Sequence, residues 1–193
     1  EAYHVGNFSD RMLLRIHKLQ CPLQADLPET LQLLRDHGLH ICNATCPKVG
    51  KVQGIVQGAL KRGTAIFIAG DMDHAEVISL QGYAGGTAVL LQKPEQVHQL
   101  SPVGKAILVA QTTFNRETYE RIAEHLEQKC DQLTVHHTIC DSTNRRQTEV
   151  RELASRADAM IIVGGRHSAN TCRLVEIASE LCPAVYHVET ESE

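Results

Sequence analysis

Short apolar runs of strand length alternate along this chain with longer segments of helical period, and a polar turn follows each run. The clearest runs are "GLHIC" (38–42), "AIFIAG" (65–70), "AILVAQ" (106–111) and "AMIIVGG" (159–165). "TAVLL" (87–91) and "AVYHV" (184–188) are similar, and "LTVHHTIC" (133–140) is weaker. Between them, Tyr119, Ile122, Ala123 and Leu126 fall at i, i+3, i+4 and i+7. So do Val150, Leu153, Ala154 and Ala157, and again Leu174, Ile177, Ala178 and Leu181; this spacing predicts amphipathic helices. Strands separated by helices of this length predict parallel βαβ crossovers and an α/β fold. The near-continuous apolarity of the runs predicts sheets covered on both faces. The segment after Cys46 places Val49, Val52, Val56 and Ala59 on one helical face and Gly50, Gly54 and Gly58 on another. Each helical glycine costs about 1 kcal/mol against alanine, so three on one face suggest close backbone approach to a neighbour; a weak helix held by packing is the plainer account.

Composition narrows the function. With 193 residues, 42% hydrophobic and 22% charged, the chain can bury one large core or two small ones. A net charge of −4, with no block of Lys or Arg, lacks the footprint of a nucleic-acid binder. No apolar run is long enough to span a membrane, and the first residues, "EAYHVGNFSD", have no secretory signal pattern and no initiator Met. The expectation is part of a longer protein in the cytoplasm. Seven cysteines, an odd number without a CxxC pair, fit reduced thiols used for metal binding or catalysis better than a disulfide framework.

In open α/β sheets ligands sit beyond the carboxyl ends of the strands. The segments there read "NATCP" (43–47), "DMDHAE" (71–76), "QTT" (111–113), "ICDSTN" (139–144) and "RHSAN" (166–170). Together they supply two cysteines, two histidines, a glutamate, and hydroxyls and amides, a set suited to a metal or cluster beside an anionic ligand. Each also has a purely structural reading. Cys46 and Cys140 are then ordinary free thiols. Asp73 is then an N-cap with Glu76 in the first helical turn. Thr112 and Thr113 then cap the helix beginning near Asn115, and Ser168 to Thr171 simply open another helix, although such a helix start also makes a phosphate or carboxylate site. Cys42, Cys130, Cys172 and Cys182 lie within strand or helix patterns and read as packing residues.

The order of these segments resembles the LytB/IspH family of 4-hydroxy-3-methylbut-2-enyl diphosphate reductases, from about Leu27 to the C-terminus. The anchors are "ATCPKV", "DHAEV", "QTT", "TIC…TNRRQ" and "VGGRHSANTCRL". The resemblance implies repeated three-layer α/β modules with mostly parallel sheets around a central cavity: residues 1–46 as a remnant of a first module, 47–136 as the second and 137–193 as an incomplete third. It implies a [4Fe-4S] cluster held by cysteines, with Cys46 and Cys140 as two of the ligands. His74 would hold the diphosphate, Glu76 would deliver a proton, Thr112 or Thr113 would complete the relay, and Ser168 and Asn170 would bind diphosphate oxygens. The reaction implied is reductive removal of an allylic hydroxyl, with electrons from a ferredoxin or flavodoxin type donor. No segment matches the family's first cluster cysteine, its His-Gly, or its last serine segment, and Ala169 stands where a second serine is expected. His17 is the candidate for the missing histidine and Cys21 for a substitute ligand. Two other functions fit parts of the pattern: a non-catalytic relative that binds a diphosphate-like anion, and a mononuclear metal hydrolase using His74, Glu76 and nearby cysteines. The second lacks compact ligand spacing.

Overall fold

The computed structural model describes residues 3–7, 12–16, 32, 33, 35–38, 40–42 and 46–193, with side chains at 32, 33, 35–38 and from 46 onward. Strands β1 (Tyr3–Asn7), β2 (Met12–Ile16) and β3 (His40–Cys42) form a sheet ordered β2-β1-β3, in which β1 pairs antiparallel with both neighbours. The apolar runs did not announce β1 and β2.

The larger sheet follows. Helix α1 (Pro47–Lys61) leads to β4 (Ala65–Ala69), α2 (Ala75–Tyr83), β5 (Val89–Leu91), a 3-10 turn (Pro94–Gln99), β6 (Val103–Ala110), α3 (Arg116–Glu127) and β7 (Cys130–Val135). Its order is β5-β4-β6-β7 and every pairing is parallel. Alternation within the continuous apolar runs serves two cores. Ile66, Ile68, Ile107 and Val109 pack with Val52, Val56, Val77 and Leu80 of α1 and α2. Phe67, Leu108 and Ala110 pack on the opposite face with Tyr119, Ile122 and Leu126 of α3. Tyr119 is buried whole because its hydroxyl donates to the carbonyl oxygens of His136 at 2.7 Å and Leu108 at 3.2 Å.

The chain then forms α4 (Asp141–Ala154), β8 (Met160–Val163), α5 (Ala169–Leu181) and β9 (Val185–Val188). β8 and β9 pair in parallel. Ala154, Ile162, Ala178 and Cys182 form a smaller core with Val150, Met160, Leu174 and Val185. The other face of this pair is open: Ile161 and Val163 are 70% and 69% exposed.

Several local expectations change. A methyl group at Gly50 or Gly54 would meet nothing, and one at Gly58 only the guanidinium of Arg62. The glycine face of α1 thus has no close neighbour among the described residues, and the helix is held by its valine face. Ala157 lies past the end of α4, and Leu153 and Leu181 are exposed. β7 begins at Cys130 and ends at Val135, because the chain then leaves the sheet to reach Cys140. Among the described residues no helix is long and apolar enough to cross a membrane.

Candidate functional site

Parallel pairing of β4 with β6 puts their carboxyl ends side by side. Beyond β4, Gly70 allows the chain to turn closely against the next helix: a methyl group there would lie 2.5 Å from Cγ2 of Val77 and 3.1 Å from Cβ of Gln111. α2 starts at this corner, and its N-cap is His74 rather than Asp73, the ring Nδ1 accepting from the Glu76 N–H at 3.2 Å. Glu76 is thereby turned inward against the end of β6.

Glu76 is 9% exposed and Thr112 8%. The Thr112 N–H donates to one carboxylate oxygen at 3.0 Å and its hydroxyl to the other at 2.8 Å. Burial pushes the carboxyl pKa upward, against the opposing pull of these two bonds. The result is a fixed carboxyl group whose proton is held more tightly than in water. Thr113 has a different partner: its hydroxyl accepts from Nε2 of Gln111 at 2.8 Å. Neither threonine caps α3, whose N-cap is Asn115, accepting from the Thr118 N–H at 3.0 Å. The geometry separates the two threonines, and Thr112 is the one bonded to the acid.

Cys140 is joined to this pair through the backbone, its N–H donating to the Thr112 carbonyl at 2.9 Å. It is the N-cap of α4, as Cys46 is of α1, and neither makes a side-chain capping bond, in contrast to His74, Asn115 and Ser168. At Cys140 the sulfur stands at the positive end of α4, which favours thiolate. The Cys140 pKa is lowered, first by the bond to the Ser142 hydroxyl at 3.0 Å. Lys48, two residues after Cys46, pairs with Asp141, next to Cys140, at 2.6 Å, so the two cysteine-bearing helix starts are tethered together. Cys46 is exposed. Among the described residues no three His, Cys, Asp or Glu side chains gather closely enough to hold a metal ion. The donor set thus fits a thiolate-held cluster in the chemistry of two sulfurs and not in their number. His17 and Cys21 lie outside the described residues.

α5 opens at Ser168, whose hydroxyl accepts from the Thr171 N–H at 3.3 Å. The Asn170 side-chain oxygen is buried without a hydrogen-bond partner. The start of α5 is tied to the end of β4 by residues that spacing did not single out. Arg173 donates to Asp71 at 2.9 Å, and its guanidinium lies 5.4 Å from the centre of the Phe114 ring. Asp71 in turn meets Gln111, which is fully buried: its N–H donates to Oε1 of Gln111 at 2.9 Å, and Nε2 of Gln111 donates to its carboxylate at 3.2 Å. Asp71 and Gln111 stand within polar strand ends, so position was their signal. Arg173 had only its place one turn into a helix that opens with polar residues.

The LytB protein family model matches residues 27–193. The 4-hydroxy-3-methylbut-2-enyl diphosphate reductase of Caldanaerobacter subterraneus subsp. tengcongensis is 35% identical over 184 residues, which are 95% of this chain and 62% of that protein. The protein of the same name from Alkaliphilus oremlandii is 40% identical over 156 residues, 80% of this chain and 56% of its own length. A solved (E)-4-hydroxy-3-methyl-but-2-enyl diphosphate reductase, terminal enzyme of the non-mevalonate pathway, superposes with a TM-score of 0.56 at 35% identity, covering 86% of this chain and 60% of that one. The E-1-hydroxy-2-methyl-but-2-enyl-4-diphosphate reductase of Plasmodium falciparum gives a TM-score of 0.80 at 27% identity, over 88% of this chain and 55% of that one. The chain thus spans less than two thirds of the length of these relatives. With the family model running from residue 27 to the last residue, and a reductase 35% identical over 95% of the chain, the chain belongs to the LytB family.

Proposed function

We propose that this chain forms part of a reductase that removes the allylic hydroxyl of 4-hydroxy-3-methylbut-2-enyl diphosphate, giving isopentenyl and dimethylallyl diphosphate. The observation that carries this reading is the buried Glu76–Thr112 pair, one peptide hydrogen bond from the Cys140 helix start. Breaking the allylic C–O bond needs two electrons and two protons: one proton turns the departing hydroxide into water and the other goes to carbon. Amino-acid side chains do not supply the electrons; a bound iron–sulfur cluster would supply them, with a ferredoxin or flavodoxin type protein as the donor. The Cys46 and Cys140 thiolates would hold it, with a third thiolate from outside the described residues.

The remaining roles belong to the chain's own groups. Glu76, with its proton held tightly by burial, is the acid for the leaving hydroxide, and Thr112 fixes its orientation. Thr113 is kept at the same strand end by Gln111. Ser168 and Asn170 at the start of α5 meet the diphosphate oxygens with neutral donors and the helix dipole. His74, at the start of α2, lies at the same end, and His17 is a further candidate for the diphosphate. A second reading, a diphosphate-binding relative without catalysis, draws on the lack of a third close ligand among the described residues.

Anaerobic purification with iron and sulfide analysis separates the two. The reductase reading expects brown protein, and Cys46→Ser or Cys140→Ser losing the iron. Glu76→Gln should keep the iron and lose about 10²-fold or more of the turnover. Colourless wild-type protein that binds the diphosphate selects the second reading, and unchanged turnover in Glu76→Gln removes the proton-donor role.

A further inference from the structure

We propose that Arg173 is a positioning residue: through Asp71 and Gln111 it ties the helix start carrying Ser168 and Asn170 to the strand ends carrying Glu76, Thr112 and Thr113, and so fixes the span between the two ends of one binding site. The proposal rests on the reading that the start of α5 takes the diphosphate and Glu76 faces the reacting carbon end. The connection is continuous. Arg173 lies one turn into α5 and donates through Nη2 to Asp71, a contact between residues 102 positions apart in sequence. Asp71 is held on two sides by the Gln111 amide, whose Nε2 also reaches Thr113. Gln111 is the residue before Thr112, which grips Glu76.

Three features mark Arg173 as a strut and not a solvated surface charge. Its side chain is 16% exposed, its second contact is to Glu176 on the same helix at 2.5 Å, and its guanidinium carbon lies over the Phe114 ring, 5.4 Å from the centre. Its Nε is buried without a hydrogen-bond partner, so the guanidinium sits where packing and the Asp71 contact hold it, at the expense of one donor. Lysine offers one point of charge and neither the flat face nor the fork, so it replaces the charge and not the geometry.

A rigid link of this kind raises the effective concentration of one half-site for the second end of a ligand already bound at the other. It adds nothing for a ligand that reaches only one half. Inorganic diphosphate occupies only the helix start, whereas 4-hydroxy-3-methylbut-2-enyl diphosphate reaches both. The experiment is therefore calorimetric titration of both ligands into the cluster-loaded protein carrying this chain, as wild type, Arg173→Lys, Asp71→Asn and the double variant, with melting curves on the same samples.

The expected result is inorganic diphosphate affinity within about twofold of wild type, with affinity for the two-ended ligand down about tenfold in each single variant. The double variant should lose no more than either single one, because both break the same link. Turnover at saturation should fall further than the affinity, since misplacement by about 1 Å is worth up to 10²-fold. Equal loss of both ligands overturns the proposal, because Arg173 would then be binding the anion itself. Unchanged binding of the two-ended ligand also overturns it, as does a loss that follows the folded fraction. If wild type does not bind inorganic diphosphate, the underlying reading of the α5 start fails first, which is a different outcome from failure in the variants alone.

Discussion

The four-stranded sheet and the β8–β9 pair are built from the same unit, a parallel strand followed by a sharp turn into a helix, yet they are finished differently. The larger sheet is covered by α1 and α2 on one face and α3 on the other, so Ile68 and Leu108, pointing to opposite sides, are both fully buried. Among the described residues the smaller pair is covered by α4 and α5 alone, and Ile161 and Val163 look outward. The turns, by contrast, share one device. Gly70 follows β4 and Gly164 follows β8, and at each a methyl group would collide with the first turn of the next helix, at Val77 or Thr171. The comparison separates two jobs. Strand-end glycines bring polar helix starts close to the site, and the sheet behind decides how firmly they are held. The buried acid rests on the firm support and the Ser168–Asn170 end on the thin one, which is where a strut such as Arg173 has most to do.

The largest expected effect comes from the doubly covered core. Leu108→Ala should destabilise by about 3 kcal/mol, whereas Leu174→Ala, half-buried against the smaller core, should cost about 1–2 kcal/mol. Urea unfolding checks the pair, and equal losses would mean that the two supports do not differ. Next come the glycines. Gly70→Ala places its methyl 2.5 Å from a methyl carbon of Val77, itself 1% exposed and unable to retreat, so a loss toward the upper end of about 1–3 kcal/mol is expected. Gly164→Ala meets Thr171 at 2.6 Å in the thinner region, so the cost to stability should be lower. Denaturation midpoints of the two variants measure the difference.

Much of this architecture was legible in the sequence because sheets covered on both faces need unbroken apolar runs, and "AIFIAG" and "AILVAQ" have no other economical use. Glu76 was legible from its place after a strand, in the first turn of a helix. The residue that caps that helix was not: Asp73 and His74 are both able to cap, and the choice turns on backbone direction at the corner. The two threonines were indistinguishable as letters, and only the direction of each side chain assigns Thr112 to Glu76 and Thr113 to Gln111. Of the two accounts of the glycine stripe of α1, the described residues favour the weak helix held by packing, because spacing shows that a neighbour is able to approach, not that one does. Arg173–Asp71 escaped altogether, since a contact across 102 residues leaves no periodic trace.

Acidity gives a smaller and more local distinction. Glu76 is the buried charged side chain among the described residues, and it belongs to the larger region. Burial raises its pKa above the ordinary 4.5, so the folded state holds a proton that the unfolded state has released. Its contribution is therefore fully present below pH 4.5 and is lost as pH rises through the folded-state value. Glu76→Gln, which has no charge to bury, should flatten this decline. Unfolding followed against pH in both proteins shows it as a stability difference that grows toward neutral pH and then levels off.

The smallest expected effect probes the open face. Ile161→Thr and Val163→Thr keep the branched β-carbon that a strand favours and exchange an ethyl and a methyl group, respectively, for a hydroxyl. Both positions are more than two-thirds exposed, so little apolar area changes its contact with water on unfolding and no buried donor is created. Stability should stay within about 0.5 kcal/mol of the parent, while light scattering of concentrated solutions should fall because the sticky face has shrunk. A larger loss of stability would mean that something packs on this face in solution. The contrast between the two sheets would then belong to the isolated chain and not to the working protein, and the thin support behind Ser168 and Asn170 would be thicker than its own strands make it.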